Sequence, residues 1–332
     1  MTDGRDTNDE TLIASPRLSV IICTHNPRQD YLRQTLEHLR TQNLSTTAWE
    51  LLIVDNRSDP LVSSWCDLSW HPQGRIVREE SLGLTNARLC GIANTTGDLL
   101  VFVDDDNLLC ADYLQESLML AAEWPTLGAW GGCILPRYES PPEPQLERYY
   151  PYLAIRPLTD DRWGNLYNME ITPFGAGLVV RRNVANQYRD LALTTCNRRR
   201  LDRTGASLIS CGDVDLAWTS VDIGLGMGVF KRLELTHLIP AFRMQVDYLL
   251  KMVESNRASH ILLDAMRGRP LPSQRKGWLR RVLDELRIIR LNRVDRRFAR
   301  AATRGQGLGF EMAACFRNTE ESADTPSKHH AH

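Results

Sequence analysis

Between residues 17 and about 135 the chain alternates short, strongly apolar runs with segments of helical periodicity, and this alternation narrows its fold more than any other feature. Leu18–Cys23 reads LSVIIC, Trp49–Val54 reads WELLIV and Leu99–Val103 reads LLVFV. A strand covered on both faces has no polar side, so such runs mark a parallel sheet sandwiched by helices. A shorter strand is expected at Arg75–Val77 and another near Ala129–Leu135. Helices are expected from about Asp30, where Leu32, Leu36 and Leu39 share a face, over Leu84–Asn94, and over Ala111–Ala122. The order strand, helix, strand predicts an α/β fold with a Rossmann-like sheet flanked by helices.

The pattern changes after residue 135. Residues 136–170 are rich in Pro, Tyr and Glu and read as a long irregular segment, a common place for a lid or binding loop. Strands are expected at Gly177–Arg181 and Val229–Leu238, with a helix over Asp213–Asp222 between them. From Arg243 the pattern is helical, broken at Pro270 and Pro272, with a second run over Lys276–Ala302. The expected organisation is a disordered lead (1–16), one α/β domain (17–240), a C-terminal helical and basic extension (241–318) and a disordered tail (319–332).

Composition excludes several classes. With 42% apolar and 24% charged residues, the 332-residue chain is ordinary globular protein, neither disordered throughout nor collagen-like. No run approaches the roughly 18 apolar residues of a membrane span. Met1–Glu10 is polar and acidic, unlike a secretory signal. The eight cysteines include no CxxC pair, which argues against a zinc site and for a reducing, cytoplasmic setting.

In an open α/β sheet, ligands bind beyond the carboxyl ends of the strands. Three such ends carry polar clusters here: Thr24-His25-Asn26, Asp55-Asn56 and Asp104-Asp105-Asp106. Three successive carboxylates repel one another unless a cation compensates them, and their oxygens suit Mg²⁺ or Mn²⁺ bridging to substrate phosphates. The plainer reading is an acidic turn or helix start. The turn after the first strand has no GxGxxG and the chain has no GxxxxGK[ST], which disfavours a dinucleotide oxidoreductase and a P-loop NTPase.

Six segments then carry a resemblance in order: SVIICTHNP (19–27), ELLIVDNRS (50–58), SLGLTNARLCGI (81–92), GDLLVFVDDDN (97–107), PFGAGLVVRR (173–182) and LISCGDVDLAW (208–218). Together they resemble the family 2 glycosyltransferases, inverting enzymes of the GT-A fold. The resemblance implies a nucleotide-binding half at 17–135 and an acceptor half at 136–240. It implies that Thr24, His25 and Asn26 cradle the base and ribose, that Asp55 bonds the base, and that Asn86 and Arg88 line the nucleotide and pyrophosphate. It gives Asp104 and Asp105 to the donor and Asp106 to the metal, with His237 completing the metal or pyrophosphate site. Asp213 matches the general base, with Asp215 as the alternative and a plain helix N-cap as the bland reading. Gly175–Gly177 and Trp130-Gly131-Gly132 would approach the donor sugar, and Trp163, Trp218 and Tyr149 are candidate stacking platforms. Gly212 departs from the pattern, standing where an acidic residue often precedes the base. Gln274–Trp278 falls short of the processive QxxRW motif because Gly277 replaces its Arg, which implies one sugar added per acceptor.

The implied function is transfer of one sugar from a nucleotide donor, a UDP-sugar by family frequency, to a hydroxyl of a glycan or lipid-linked acceptor in cell-envelope polysaccharide synthesis. Two alternatives remain: a sugar-phosphate nucleotidyltransferase, and a non-catalytic nucleotide-binding scaffold. Residues 275–305 hold ten Arg and one Lys against Asp284, Glu285 and Asp295, a local charge of +8 in a chain of net charge −1. Leu279, Val282, Leu283, Leu286 and Ile289 recur there at helical spacing. Such a helix either lies on an anionic membrane, making the protein peripheral on the cytoplasmic face, or packs its apolar stripe on the domain. No nucleic-acid recognition motif accompanies the charge, so no nucleic-acid partner is expected.

Overall fold

The computed structural model describes residues 17–194, 198–202, 208–273 and 278–323. The expected disordered lead, most of the expected tail, and Gln274–Gly277 of the QxxRW comparison lie outside them. Four parallel strands come first: β1 (Leu18–Thr24), β2 (Trp49–Asp55), β3 (Gly74–Arg78) and β4 (Leu99–Val103), in spatial order β3-β2-β1-β4. The connecting helices are α1 (Gln29–Arg40) and α2 (Leu84–Ala93).

Alternation along the strands divides the core. Val20, Ile22, Leu51, Ile53, Val101 and Val103 pack on one face with Leu32, Leu36 and Leu39 of α1. Ile21, Leu52, Val54, Leu100 and Phe102 pack on the other with Ala87, Leu89 and Ile92 of α2. A side chain at Gly91 would come within 2.6 Å of Ile21 Cγ2, so only glycine lets α2 lie this close to β1. Glu50, a buried charge on β2, accepts from Ser19 Oγ (2.8 Å) and the Thr96 amide (2.6 Å) and pairs with Arg75 (2.8 Å).

After β4 the chain turns through Asp104–Asp106 into β5 (Asn107–Leu109), then α3 (Tyr113–Glu123) and the long β6 (Leu127–Tyr138). β7 (Arg162–Gly164), β8 (Leu178–Arg181), α4 (Arg182–Thr194), α5 (Gly212–Asp222) and β9 (Gly226–Ile239) complete the sheet. Its order continues β4-β8-β6-β9-β5, with β8 antiparallel to β4 and to β6, and β7 beside β9. β5, β7 and α4 were not expected: the two strands are only three residues each, too short for a periodicity signal.

The 136–170 segment is less irregular than expected. Pro144–Leu153 forms a 3₁₀ helix whose Leu146, Tyr150 and Leu153 build a third core with Leu249, Met252 and Val253 of α6 (Val246–Met266). The expected helix over 276–302 is two helices, α7 (Trp278–Ile289) and α8 (Arg293–Ala323). Asn292 breaks the run as an N-cap: its Oδ1 accepts the Asp295 amide (2.8 Å) while its Nδ2 donates back to Asp295 Oδ2 (2.8 Å). α8 packs along α6, placing Phe298 and Ala301 in the third core, and it continues through Ala323 past the start of the expected tail. Among the described residues no helix is long and apolar enough to cross a membrane.

Candidate active site

The carboxyl ends of β1 and β4 open into a cleft of about 600 Å³, closed on the far side by Pro151–Ala154, Gly175-Ala176, Ser210–Val214 and one face of α6. Thr24, His25, Arg88, Asp104, Asp105, Asp106, Asp213 and His237 all line it. Residues up to 213 positions apart in sequence therefore converge, from Thr24 to His237.

Asn26, Asp55 and Asn86 are not on the lining; they stand behind it. Asp55 accepts the amides of Ser58 (2.8 Å) and Val62 (3.1 Å) and pairs with Arg78 (3.1 Å). Burial works to raise its pKa, but these donors outweigh burial and hold the carboxyl below its ordinary value. Asn26 adopts a left-handed conformation (φ 50°), donates its amide to Ser58 Oγ (2.9 Å) and accepts the Asp59 amide (2.8 Å). That brace fixes the turn carrying His25, whose Nδ1 lies 2.8 Å from the Asn56 carbonyl. Asn86 returns its side chain to the Leu82 carbonyl (3.1 Å), just ahead of its own helix. Asn56, one residue past the predicted Asp55, is the β2-end residue that reaches the cleft.

The three aspartates divide their tasks. The Asp104 amide bonds Asn107 Oδ1 (3.2 Å) and its carbonyl accepts the Asn107 amide (3.1 Å), which forms the turn. Asp105 accepts from the Thr24 hydroxyl; burial and the charges of Asp106 and Asp104 push its carboxyl up to about 7, with Thr24 and Arg243 opposing. Asp106 is held beside His237 because β5 pairs with β9, setting Asn107 opposite His237, and because the Leu238 amide donates to the Asp106 carbonyl (2.9 Å). Asp106 Oδ2 lies 3.4 Å from His237 Nε2 and 3.0 Å from an Arg243 nitrogen.

Among the described residues no three His, Cys, Asp or Glu side chains form a ready metal cage. Asp106 and His237 do fit a hard divalent cation that completes its shell from donor phosphates and water. Neighbouring ligands on an octahedral ion at about 2.1 Å are about 3 Å apart, close to the observed 3.4 Å. His237 Nδ1 is buried with no hydrogen-bond partner among the described residues.

Arg243 was missed from sequence. It follows β9 in a short 3₁₀ turn (Ala241–Met244), and nothing local marks it. Burial works against its charge, but Asp106 and Asp105 more than restore it, and its pKa ends above the ordinary value. It supplies the positive charge that lets the acidic turn form.

Asp213 and Asp215, two residues apart, are handled differently. Asp213 lines the cleft, accepting the Gly175 amide (2.7 Å) and the Val214 amide (2.9 Å). The N-cap of α5 is Cys211, so Asp213 is not engaged as a plain cap. Asp215 is fully buried, clasped by Arg198 (2.7 Å) and Arg267 (2.7 Å) away from the cleft. A side chain at Gly175 would crowd Arg88 and Asp213: its Cβ would stand 2.9 Å from an Arg88 nitrogen and 3.2 Å from Asp213 Oδ2.

Arg88 and Asp202 form a buried pair (2.7 Å) that sequence reading also missed on its acidic side. Asp202 further accepts from Thr85 Oγ1 (2.9 Å) and the Gly212 amide (3.2 Å). Burial opposes the Arg88 charge, but Asp202, Asp213 and Asp104 outweigh it and keep the guanidinium ionised. A Cβ on Gly212 would overlap the Asp202 carboxylate, so the glycine is the consequence of a carboxylate arriving from residue 202.

The aromatic platforms and the Trp130 segment do not reach the cleft. Trp130 is fully buried in the core, and Trp218 is buried with its Nε1 on Thr172 Oγ1 (2.8 Å). Tyr149 stacks on Phe298 (3.5 Å) with its hydroxyl on Asp295 (2.6 Å), and Trp163 leans on Trp124. Tyr152 and Tyr248 line the cleft instead, with Asn256 and His260. Burial lowers the His260 pKa.

With this geometry in hand, the relatives fall into place. The family model for glycosyl transferase family 2 matches residues 19–189. Glycosyltransferase GlyA of Streptococcus pneumoniae is 27% identical over 106 residues, 31% of this chain and 15% of that protein. EpsH of Bacillus subtilis is 25% identical over 113 residues, 33% of this chain and 31% of that protein. The chain thus spans less than a third of either curated relative. Among solved structures, the mannosyltransferase PcManGT from Pyrobaculum calidifontis, in complex with GDP-Man and Mn²⁺, superposes with a TM-score of 0.51 at 16% identity, covering 94% of this chain and 77% of that one. Its likeness shows a shared GT-A-type fold. A family match across more than half of the chain, on the strands and turns that build the cleft, makes this protein a member of glycosyl transferase family 2.

Proposed function

We propose that this chain is an inverting, non-processive glycosyltransferase that moves one sugar from a nucleoside-diphosphate donor to an acceptor hydroxyl. The observation that carries the reading is the division between two neighbouring carboxylates: Asp213 lines the cleft with no ion pair among the described residues, whereas Asp215 is locked by two arginines.

The donor diphosphate sits at the strand ends, with the nucleoside toward Thr24, His25 and Asn56 and Asp55 supporting that turn from behind. Arg88 keeps positive charge beneath the diphosphate side of the cleft. Asp106 and His237 would hold Mg²⁺ or Mn²⁺. When bound, the cation supplies Lewis-acid neutralisation of the charge that grows on the leaving diphosphate. Asp213 accepts the acceptor hydroxyl's proton as that oxygen attacks the anomeric carbon from the face opposite the leaving group. The Gly175 and Val214 amides aim the carboxylate. Tyr152, Tyr248, Asn256 and His260 offer the acceptor aromatic faces and hydrogen-bonding groups, as a glycan or lipid-linked glycan requires.

The test is calorimetric titration of UDP, GDP and dTDP, with and without Mn²⁺, into the wild type and Asp106→Ala. Metal-dependent binding of one nucleotide, lost in the variant, is expected; a UDP preference follows the family frequency, whereas the structural neighbour holds GDP-Man. Binding of none of the three under any metal condition would sink the reading and leave a scaffold of this fold.

A further inference from the structure

The basic segment after α6 posed a choice between an apolar stripe packed on the domain and one left for an outside surface. The structure leaves it outside. Along α7, Trp278 is 72% exposed, Leu279 59%, Leu283 55% and Ile289 50%, with Val282 and Leu286 similarly open. These positions recur every three or four residues and so share one face. α8, by contrast, turns Phe298, Ala301 and Ala313 inward against α6, all nearly or fully buried. Two consecutive helices of similar composition thus have opposite fates, and the helix with the larger apolar side chains is the uncovered one.

Charge completes the picture. Arg287, Arg290 and Arg293 are exposed along the same stretch, as are Arg297 and Arg300, which pair with Asp247 (2.7 Å) and Glu285 (3.7 Å). A contiguous apolar stripe bordered by arginine guanidinia matches a boundary that is greasy inside and anionic at its rim. That describes a bilayer surface with acidic headgroups better than it describes water. Arg side chains are long enough to keep their heads among the phosphates while the stripe sinks to the acyl boundary. A helix of 12 residues is about 18 Å long, far short of a span, so it lies in the interface plane.

We infer that α7 is a peripheral membrane anchor that seats the apolar face Trp278–Leu279–Val282–Leu283–Leu286–Ile289 in the headgroup region of an anionic membrane, with the flanking arginines on lipid phosphates. This inference stands apart from what the cleft transfers. It also gives an enzyme of this kind access to an acceptor whose lipid tail never leaves the membrane.

The test uses the full chain and vesicles of phosphatidylcholine alone or with about one third phosphatidylglycerol. Co-sedimentation with the anionic vesicles is expected, weakening as salt rises, with little on the neutral ones. The double variant Leu283→Glu/Leu286→Glu is expected to lower the partition by about tenfold or more. Arg287→Glu/Arg290→Glu is expected to lower it about as much, on anionic vesicles only. Both pairs are exposed, and an unchanged urea midpoint verifies that the fold persists. Failure of the wild type to bind anionic vesicles would overturn the inference, as would binding indifferent to both variants. A wild-type dimer that the leucine variant converts to monomer, without vesicle binding, would assign this face to a second copy of the chain and equally overturn it.

Discussion

The wall of the cleft made by the parallel strands and the wall made by the later elements hold their carboxylates by opposite means. On the first wall the support is local. Asp55 is bonded by amides three and seven residues away, and the Asp104 turn is closed by Asn107. On the second wall it is remote. Asp202 is paired with Arg88 and Asp215 with Arg267, and Arg243 reaches across from this side to Asp106 of the acidic turn. A backbone amide is a fixed partial charge that comes with the turn, while an arginine must be delivered by another element. The strand-end wall, apart from the acidic turn that Arg243 compensates, is therefore preorganised as soon as its strands form. The second wall depends on α5, β9 and α6 docking, and its charges are only as well placed as that docking.

Four substitutions sharpen or break this contrast. The largest effect is expected at the Asp213/Asp215 pair. Asp215→Asn weakens a buried site holding Arg198 and Arg267, at a cost of about 3–5 kcal/mol, read as a lower urea midpoint. Asp213→Asn is expected to leave that midpoint nearly unchanged while transfer slows by about 10²–10⁴. If the two variants behaved alike in both assays, the functional division between these aspartates would be gone.

Asp55→Asn probes the local wall. The folded pKa of Asp55 is depressed, so its stabilisation is full above the unfolded value and lost as pH falls through the folded one. The variant is expected to cost about 2 kcal/mol at neutral pH, with the difference from wild type shrinking as the pH is taken below about 4. A gap that stayed constant into acid would mean that the amide contacts of Ser58 and Val62 do not act on an ionised carboxylate.

The smallest effect has an unusual sign. Arg243→Ala removes the protein's own cation from Asp106, so Mn²⁺ alone is expected to bind about fivefold more tightly by calorimetry, the equivalent of about 1 kcal/mol, the size of a unit-charge interaction about 4 Å apart when water screens it. Unchanged or weaker Mn²⁺ binding would show that Arg243 and the ion do not compete for that oxygen.

How much of this was legible in advance varies from element to element. β1, β2 and β4 announce themselves because a strand buried on both faces has no polar positions to interrupt it, and each ends on the cluster that lines or braces the cleft. Asp213 was found through its motif, yet its distinction from Asp215 could not be, since both are acidic residues in the first turn of one helix. Asp202 gave no sign of itself, although Gly212 hinted at it: the missing side chain is the space its carboxylate occupies. The aromatic platforms failed because a Trp in a sequence looks the same whether it fills a core, as Trp218 does, or faces a sugar.

For this protein the sequence by itself determined the class of the sheet, the strand ends where a ligand can sit, and the acidic turn that calls for a cation, all of which follow from periodicity and chemistry within a few residues. It also determined that α7 has a basic, amphipathic character. The tertiary structure alone decided which aspartate faces the cleft, which arginine answers each carboxylate, and whether the stripe on α7 is covered. Those outcomes depend on contacts between residues dozens to more than a hundred positions apart, as in Asp106 and Arg243, where burial and charge are settled by what other elements bring.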